Sequence, residues 1–166
     1  INSLPKIDGT FHKMENPSQE NLHLLKTDAV NFSKVVLSLV EQNYRLAWVF
    51  GTDDRLEDKT FGVHAILSLD GINEWIEVYA ALDEKNPSYQ AITKSVVGAI
   101  WFEKYMMDMF GIIAEGHPDP RRLVHHENVP LNTFPLRKDF AWNTVMKKDD
   151  VPFPMIHVEG NGIYEI

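Results

Sequence analysis

Three β-rich runs lie close together between Tyr44 and Leu82, and the short spacing between them restricts the fold more than any other feature of the chain. They are Tyr44–Gly51 (YRLAWVFG), about 60–69 (TFGVHAILSL) and about 74–82 (EWIEVYAAL). In the second run Val63, Ala65 and Leu67 alternate with His64, Ile66 and Ser68. In the third, Trp75, Glu77 and Tyr79 alternate with Ile76, Val78 and Ala80. A period of two marks strands with one face buried. A parallel pair needs a crossover of about a dozen residues or more. The segments Thr52–Lys59 and Asp70-Gly71 are short loop and turn sequences instead. The spacing predicts an antiparallel meander.

Two helices flank it. Thr27 and Asp28 offer N-caps for a helix over about 29–43, with Val30, Phe32, Val35, Val36, Leu39 and Val40 as its apolar stripe. A second helix runs from Gly98 to about Phe110 and ends at Gly111, a natural residue for a left-handed helix end. It is apolar on most sides, with only Glu103, Lys104 and Asp108 as charges. Such a helix needs cover on more than one face: a deep core position accounts for it first, and the alternative is a second face covered by a partner. Residues 88–97 suit either an extended or a helical form. Beyond Gly111, Pro118, Pro120, Pro130, Pro135, Pro152 and Pro154 predict extended loops, with a short turn near Arg121–Val124. Residues 1–26 read as an irregular, polar arm with at most one short element. The predicted fold class is α+β: a small antiparallel or mixed sheet, helices packed on one face, and a long Pro/Gly-rich C-terminal extended segment. The 166 residues suit one domain.

Composition removes several function classes. The chain has no cysteine, which excludes disulfides, thiolate nucleophiles and Cys-ligated iron–sulfur, nickel or zinc centres. Any redox metal must sit on another domain or subunit. Absent cysteines also fit a reducing, cytoplasmic setting. A net charge of −8 opposes nonspecific binding to phosphate backbones. No apolar run approaches the roughly 18–20 residues of a membrane span.

Catalytic constellations are weak. Glu103 and Asp108, five residues apart, project about 140° apart around a helix, so they do not form a general acid–base pair. Ion pairs with Arg121, Arg122 or Arg137 would compensate these acids better. The chain has seven histidines but no HExxH. His125 and His126 are neighbours, whose side chains diverge on helix and strand alike. A metal-dependent enzyme would need His117, His125, His126 and nearby acids to converge. His117 precedes Pro118, which favours an extended backbone and a turn-fixing hydrogen bond. Gly160-Asn161-Gly162 reads as a turn, and no dinucleotide loop, P-loop or GxSxG elbow is present.

Three blocks in order carry a resemblance: DMFGI (Asp108–Ile112), GHPDPRRL (Gly116–Leu123) and PLRKDF (Pro135–Phe140). With VFGTDDR (Val49–Arg55) and weaker patterning from about Asp28, the chain resembles the 30-kDa subunit family of respiratory complex I. The family has Glu-Arg-Glu ahead of the first block, where this chain has Glu103-Lys104-Tyr105. The tail HVEGNGIYEI (His157–Ile166) is similar to the segment that joins such a domain to a [NiFe]-hydrogenase-type large-subunit domain, as in formate hydrogenlyase-type enzymes. The resemblance implies an arm at 1–26, a family domain at 27–140 and a linker at 141–166 toward a downstream hydrogenase domain. It implies a cofactor-free accessory domain of a membrane-associated oxidoreductase complex, either hydrogenase or NADH–quinone oxidoreductase. A stand-alone complex I subunit is the alternative. Iron–sulfur clusters and Ni-Fe would belong to partners: a large catalytic subunit and small iron–sulfur subunits. The location implied is cytoplasmic and peripheral to the inner membrane. The residues carried over as interface or motif positions are Glu103, Asp108, Gly111, Gly116, His117, Pro118, Asp119, Arg121, Arg122, Pro135, Leu136, Arg137, Lys138 and Asp139.

Overall fold

The structure, a computed structural model, describes residues 10–13, 21–145, 160 and 162. The linker expected at 141–166 lies outside the described residues beyond Val145, apart from Gly160 and Gly162.

A five-stranded mixed sheet forms the centre. Its strands are β1 (Thr10–Lys13), β2 (Leu22–Asp28), β3 (Tyr44–Asp53), β4 (Thr60–Leu69) and β5 (Glu74–Asp83), in the order β1-β2-β5-β4-β3. β3, β4 and β5 form the antiparallel meander expected from their alternation. Val63, Ala65, Leu67, Ile76, Val78 and Ala80 are all fully buried on its inner face. A register shift between Leu46 and Trp48 interrupts the β3–β4 ladder.

The stretch from Leu22 to Lys26, expected to be irregular, is instead the greater part of β2. It pairs parallel with β5 and antiparallel with β1. Leu24 and Leu25 are adjacent apolar residues, which blurs the period of two. Only the pairing shows that Leu25 faces the core, where it is fully buried.

Helix α1 (Ala29–Glu41) starts where sequence places it: the Asp28 side chain accepts a hydrogen bond from the Asn31 amide at 2.9 Å. Its buried face is Phe32, Ser33, Val35, Val36 and Leu39. A 3₁₀ turn (Val97–Ala99) leads into α2 (Ile100–Phe110). α2 lies on the same face of the sheet as α1. A side chain at Gly51 would run into Ile112 and Met106, and Gly51 is in register with the buried Val63 and Ala80. A short parallel pair, β6 (Ser88–Gln90) and β7 (Ile113–Glu115), edges the helical layer. Among the described residues no helix lies on the opposite face of the sheet. That face holds Trp48, Phe50, His64 and Tyr79, with His64 stacked on Phe50 at 4.5 Å.

Candidate docking surface

α2 is oriented against its own polarity. Its charged residues point inward: Glu103, Lys104 and Asp108 are all buried, Glu103 completely. Trp101 and Tyr105 point outward, 60% and 43% exposed, and Val97 one turn earlier is 71% exposed. This reverses the usual arrangement of a surface helix.

Hydrogen bonds sustain the inward charges. The Glu103 carboxylate accepts from the Tyr89 hydroxyl at 3.1 Å, from the amides of Ile92 and Thr93 at 2.8 and 3.3 Å, and from the Thr93 hydroxyl. Burial, and next the Glu103 charge, push the Tyr89 phenol well above its ordinary pKa, so it stays a donor. Asp108 Oδ2 accepts from three successive amides, Leu123 at 2.8 Å, Val124 at 2.7 Å and His125 at 3.2 Å. The two acids do not converge; each anchors a different loop to α2.

The expected ion pairs of these acids with Arg121, Arg122 or Arg137 do not form. Backbone amides and hydroxyls already occupy the buried carboxylates, and the arginines find other partners. Arg121 grips Asp119 through Nε at 2.6 Å and Nη2 at 3.0 Å. Lys104 reaches the same Asp119 at 2.9 Å. Arg121 first and Lys104 second hold the Asp119 carboxyl far below the usual carboxylate range. Arg122 donates to the carbonyls of His126 and Val129.

The GHPDP turn is fixed as its sequence suggests. Gly116 has φ 75°, and His117 Nδ1 accepts from the Asp119 amide across Pro118 at 3.1 Å. That bond leaves the His117 proton on Nε2, which is buried and 3.8 Å from Glu103.

The block Pro135–Phe140 closes the far end of α2. The Leu136 amide donates to the Met109 carbonyl at 3.1 Å, and Arg137 Nε donates to the Phe110 carbonyl at 2.7 Å. The Arg137 guanidinium sits 4.1 Å from the Phe134 ring centre and 5.0 Å from that of Phe61. Gly111 makes room for it. Gly111 has φ 69°, and a Cβ there would fall 2.6 Å from Arg137 Nη2. The Lys138 amide donates to Asp53 at 2.8 Å, and its ammonium reaches Glu57 at 3.0 Å. Asp139 pairs with Arg55 at 2.8 Å, and Arg55 pairs with Asp53 at 2.7 Å. Arg55 bonding, ahead of the Lys138 amide, lowers the Asp53 carboxyl to about 2.

Asp53 and Arg55 thus hold the basic block in place. In the sequence the first reads as a turn residue and the second has no evident role. Their only signal is their place inside VFGTDDR. Leu136, Arg137, Lys138 and Asp139 all serve this internal clamp, while Pro135 lines a cleft with Met109 and Val129. His117, His125 and His126 do not converge: among the described residues no three His, Asp or Glu side chains come close enough to share a metal ion.

The surface left open by these bonds is an apolar ridge, Val97, Trp101 and Tyr105. Beside it lies a groove of about 560 Å³ bordered by Trp101, Leu123 and Leu131. No helix among the described residues is long and apolar enough to cross a membrane.

Known proteins resemble this chain. Residues 25–145 match the family model described as the 30 Kd subunit of respiratory-chain NADH dehydrogenase. Formate hydrogenlyase subunit 5 of Escherichia coli (strain K12) is 34% identical over 129 residues, covering 76% of this chain and 23% of that protein. Hydrogenase-4 component G of the same strain is 35% identical over 117 residues, covering 68% and 21%. An NADH-quinone oxidoreductase subunit of Bordetella petrii is 33% identical over 125 residues, covering 70% and 58%. The chain therefore spans less than a quarter of either hydrogenase relative. Among solved structures, a trypsin-resistant fragment of Nqo5 superposes with a TM-score of 0.55 at 21% identity, covering 67% of this chain and 89% of that one. A chain of the membrane-bound sulfane sulfur reductase, an archaeal respiratory membrane complex, gives 0.68 at 15% identity, covering 77% and 76%. Those two likenesses concern the fold; the sequence matches carry the kinship. The chain belongs to the family of the 30-kDa subunit of respiratory-chain NADH dehydrogenase.

Proposed function

We propose that this domain is a cofactor-free docking unit of a membrane-associated oxidoreductase complex, peripheral to the membrane, which helps assemble a catalytic large subunit with small iron–sulfur subunits. Family membership supports the setting, since relatives are named as components of hydrogenase and NADH–quinone oxidoreductase complexes. The observation that carries the docking role is the inverted α2. A helix that buries three charges and exposes Trp101 and Tyr105, with Val97 exposed just before it, leaves apolar and aromatic area in water. Such area is characteristic of interface cores, where Trp and Tyr contribute most. The Pro135–Phe140 clamp and the Asp108 amide cluster hold that ridge rigid, which lowers the entropy lost on docking.

The test is co-purification from membranes of the full-length, affinity-tagged protein. Large and iron–sulfur subunits should accompany it, and Trp101→Glu should reduce their recovery about tenfold or more. Isolation of the wild-type protein alone, with those subunits present in the same lysate, would overturn the proposal. Fusion to a hydrogenase domain predicts CxxC motifs in the coding sequence beyond Ile166, whereas a stand-alone complex I subunit predicts none.

A further inference from the structure

The groove beside the α2 ridge combines apolar walls with a local excess of positive charge. Trp101, Leu123 and Leu131 supply the walls, and Leu131 is 81% exposed. Lys104, Arg121 and Arg122 line the groove, and Glu127 is the one acid among its lining residues. Asp119 is shared: both Lys104 and Arg121 bond to its carboxylate. Among the described residues Arg122 meets only backbone carbonyls. Among the described residues three cations therefore face two carboxylates, on a chain whose net charge is −8. The Arg121 side chain is 85% exposed and keeps Nη1 outside its bonds to Asp119. A guanidinium already oriented by one carboxylate can bind a second at low entropic cost.

We propose that this groove takes an acidic, apolar segment of a partner subunit. An Asp or Glu of the segment binds Arg121 and Arg122, and an adjacent Leu, Phe or Trp packs between Trp101 and Leu131. The inference rests on the docking reading and specifies the partner's chemistry. Excess positive charge selects against a basic segment. The chain's overall negative charge disfavours a second copy of itself.

A photo-crosslinking residue, p-benzoylphenylalanine, replaces Leu131 in the full-length tagged protein, and the complex is purified from membranes and irradiated. The expected adduct is a partner-subunit peptide with Asp or Glu within one helical turn of a large apolar residue. Arg121→Glu and Leu131→Glu should each lower partner recovery about tenfold. Leu131 makes no hydrogen bond in its side chain and is exposed, so Leu131→Glu should melt with the wild type. Adducts to a second copy, to the chain's own Asp149–Ile156, or to a basic partner segment would each overturn the proposal. So would unchanged recovery in both variants. In all these cases wild-type co-purification still supports the docking role. If the wild type recovers no partner, the docking reading itself falls and takes this inference with it.

Discussion

Glu103 illustrates how a buried charge becomes structural. Four donors converge on its carboxylate, from Tyr89, Ile92 and Thr93. An unpaired buried donor costs about 1–3 kcal/mol. Glu103→Ala should therefore lower unfolding stability by roughly 3–5 kcal/mol, with Glu103→Gln intermediate, as measured by urea titration. A loss under about 1 kcal/mol would mean that water replaces the carboxylate. Asp53 makes a pH-dependent contribution. Its carboxyl sits at about 2 in the folded chain, against an ordinary 3.8. Above about pH 5 the carboxylate is ionised in both states and its stabilisation is complete. As pH falls from about 5 toward 2 the unfolded chain takes up the proton first, and most of the stabilisation is lost. The shift corresponds to about 2 kcal/mol. The gap in stability between wild type and Asp53→Asn should therefore narrow by about that amount between pH 7 and pH 2, and equal gaps at both pH values would refute the assignment to Asp53.

At the scale of elements, Gly111 and Arg137 form one joint. Gly111→Ala meets a positive φ and the Arg137 and Phe134 side chains together. The expected cost is about 2 kcal/mol or more. Arg137→Lys keeps the charge but loses the flat stack on Phe134 and the Nε bond to Phe110, at a cost of about 1–2 kcal/mol. If thermal melting finds either variant equal to wild type, the joint is not what holds the Pro135–Phe140 block. How far these elements were readable follows from the range of their contacts. β3, β4, β5 and α1 could be read because alternation and capping are local signals. β2 could not, because its partner β5 lies about fifty residues away and pairs in parallel. α2 was readable as a helix, but its orientation was not. Glu103, Lys104 and Asp108 look like a solvent face until loops distant in sequence arrive to bond them. The basic block was visible, yet its partners Asp53 and Arg55 are more than eighty residues away.

Among the described residues, two of the exposed tryptophans, Trp48 and Trp101, stand on opposite sides of the core. On the face of the sheet away from α1 and α2, Trp48 is 55% exposed and rests against Phe50, with ring centres 5.3 Å apart. On the helical side Trp101 stands on the α2 ridge, with the Lys104 ammonium 5.6 Å from its ring. Exposure alone does not separate them. Their surroundings do: Trp48 belongs to a row of side chains that cover one another across the strands, whereas Trp101 borders a groove with surplus cations. The two should therefore respond differently to the same change. Trp48→Glu removes a packed aromatic contact and should cost about 1 kcal/mol of stability without changing partner recovery from membranes. Trp101→Glu should cost within about 0.5 kcal/mol, because Trp101 packs on no other aromatic ring among the described residues, while recovery of the large and iron–sulfur subunits falls about tenfold. Measuring melting temperature and subunit recovery for both variants in parallel separates folding from docking. The reverse pattern, with recovery lost in Trp48→Glu and retained in Trp101→Glu, would move the docking surface to the open face of the sheet.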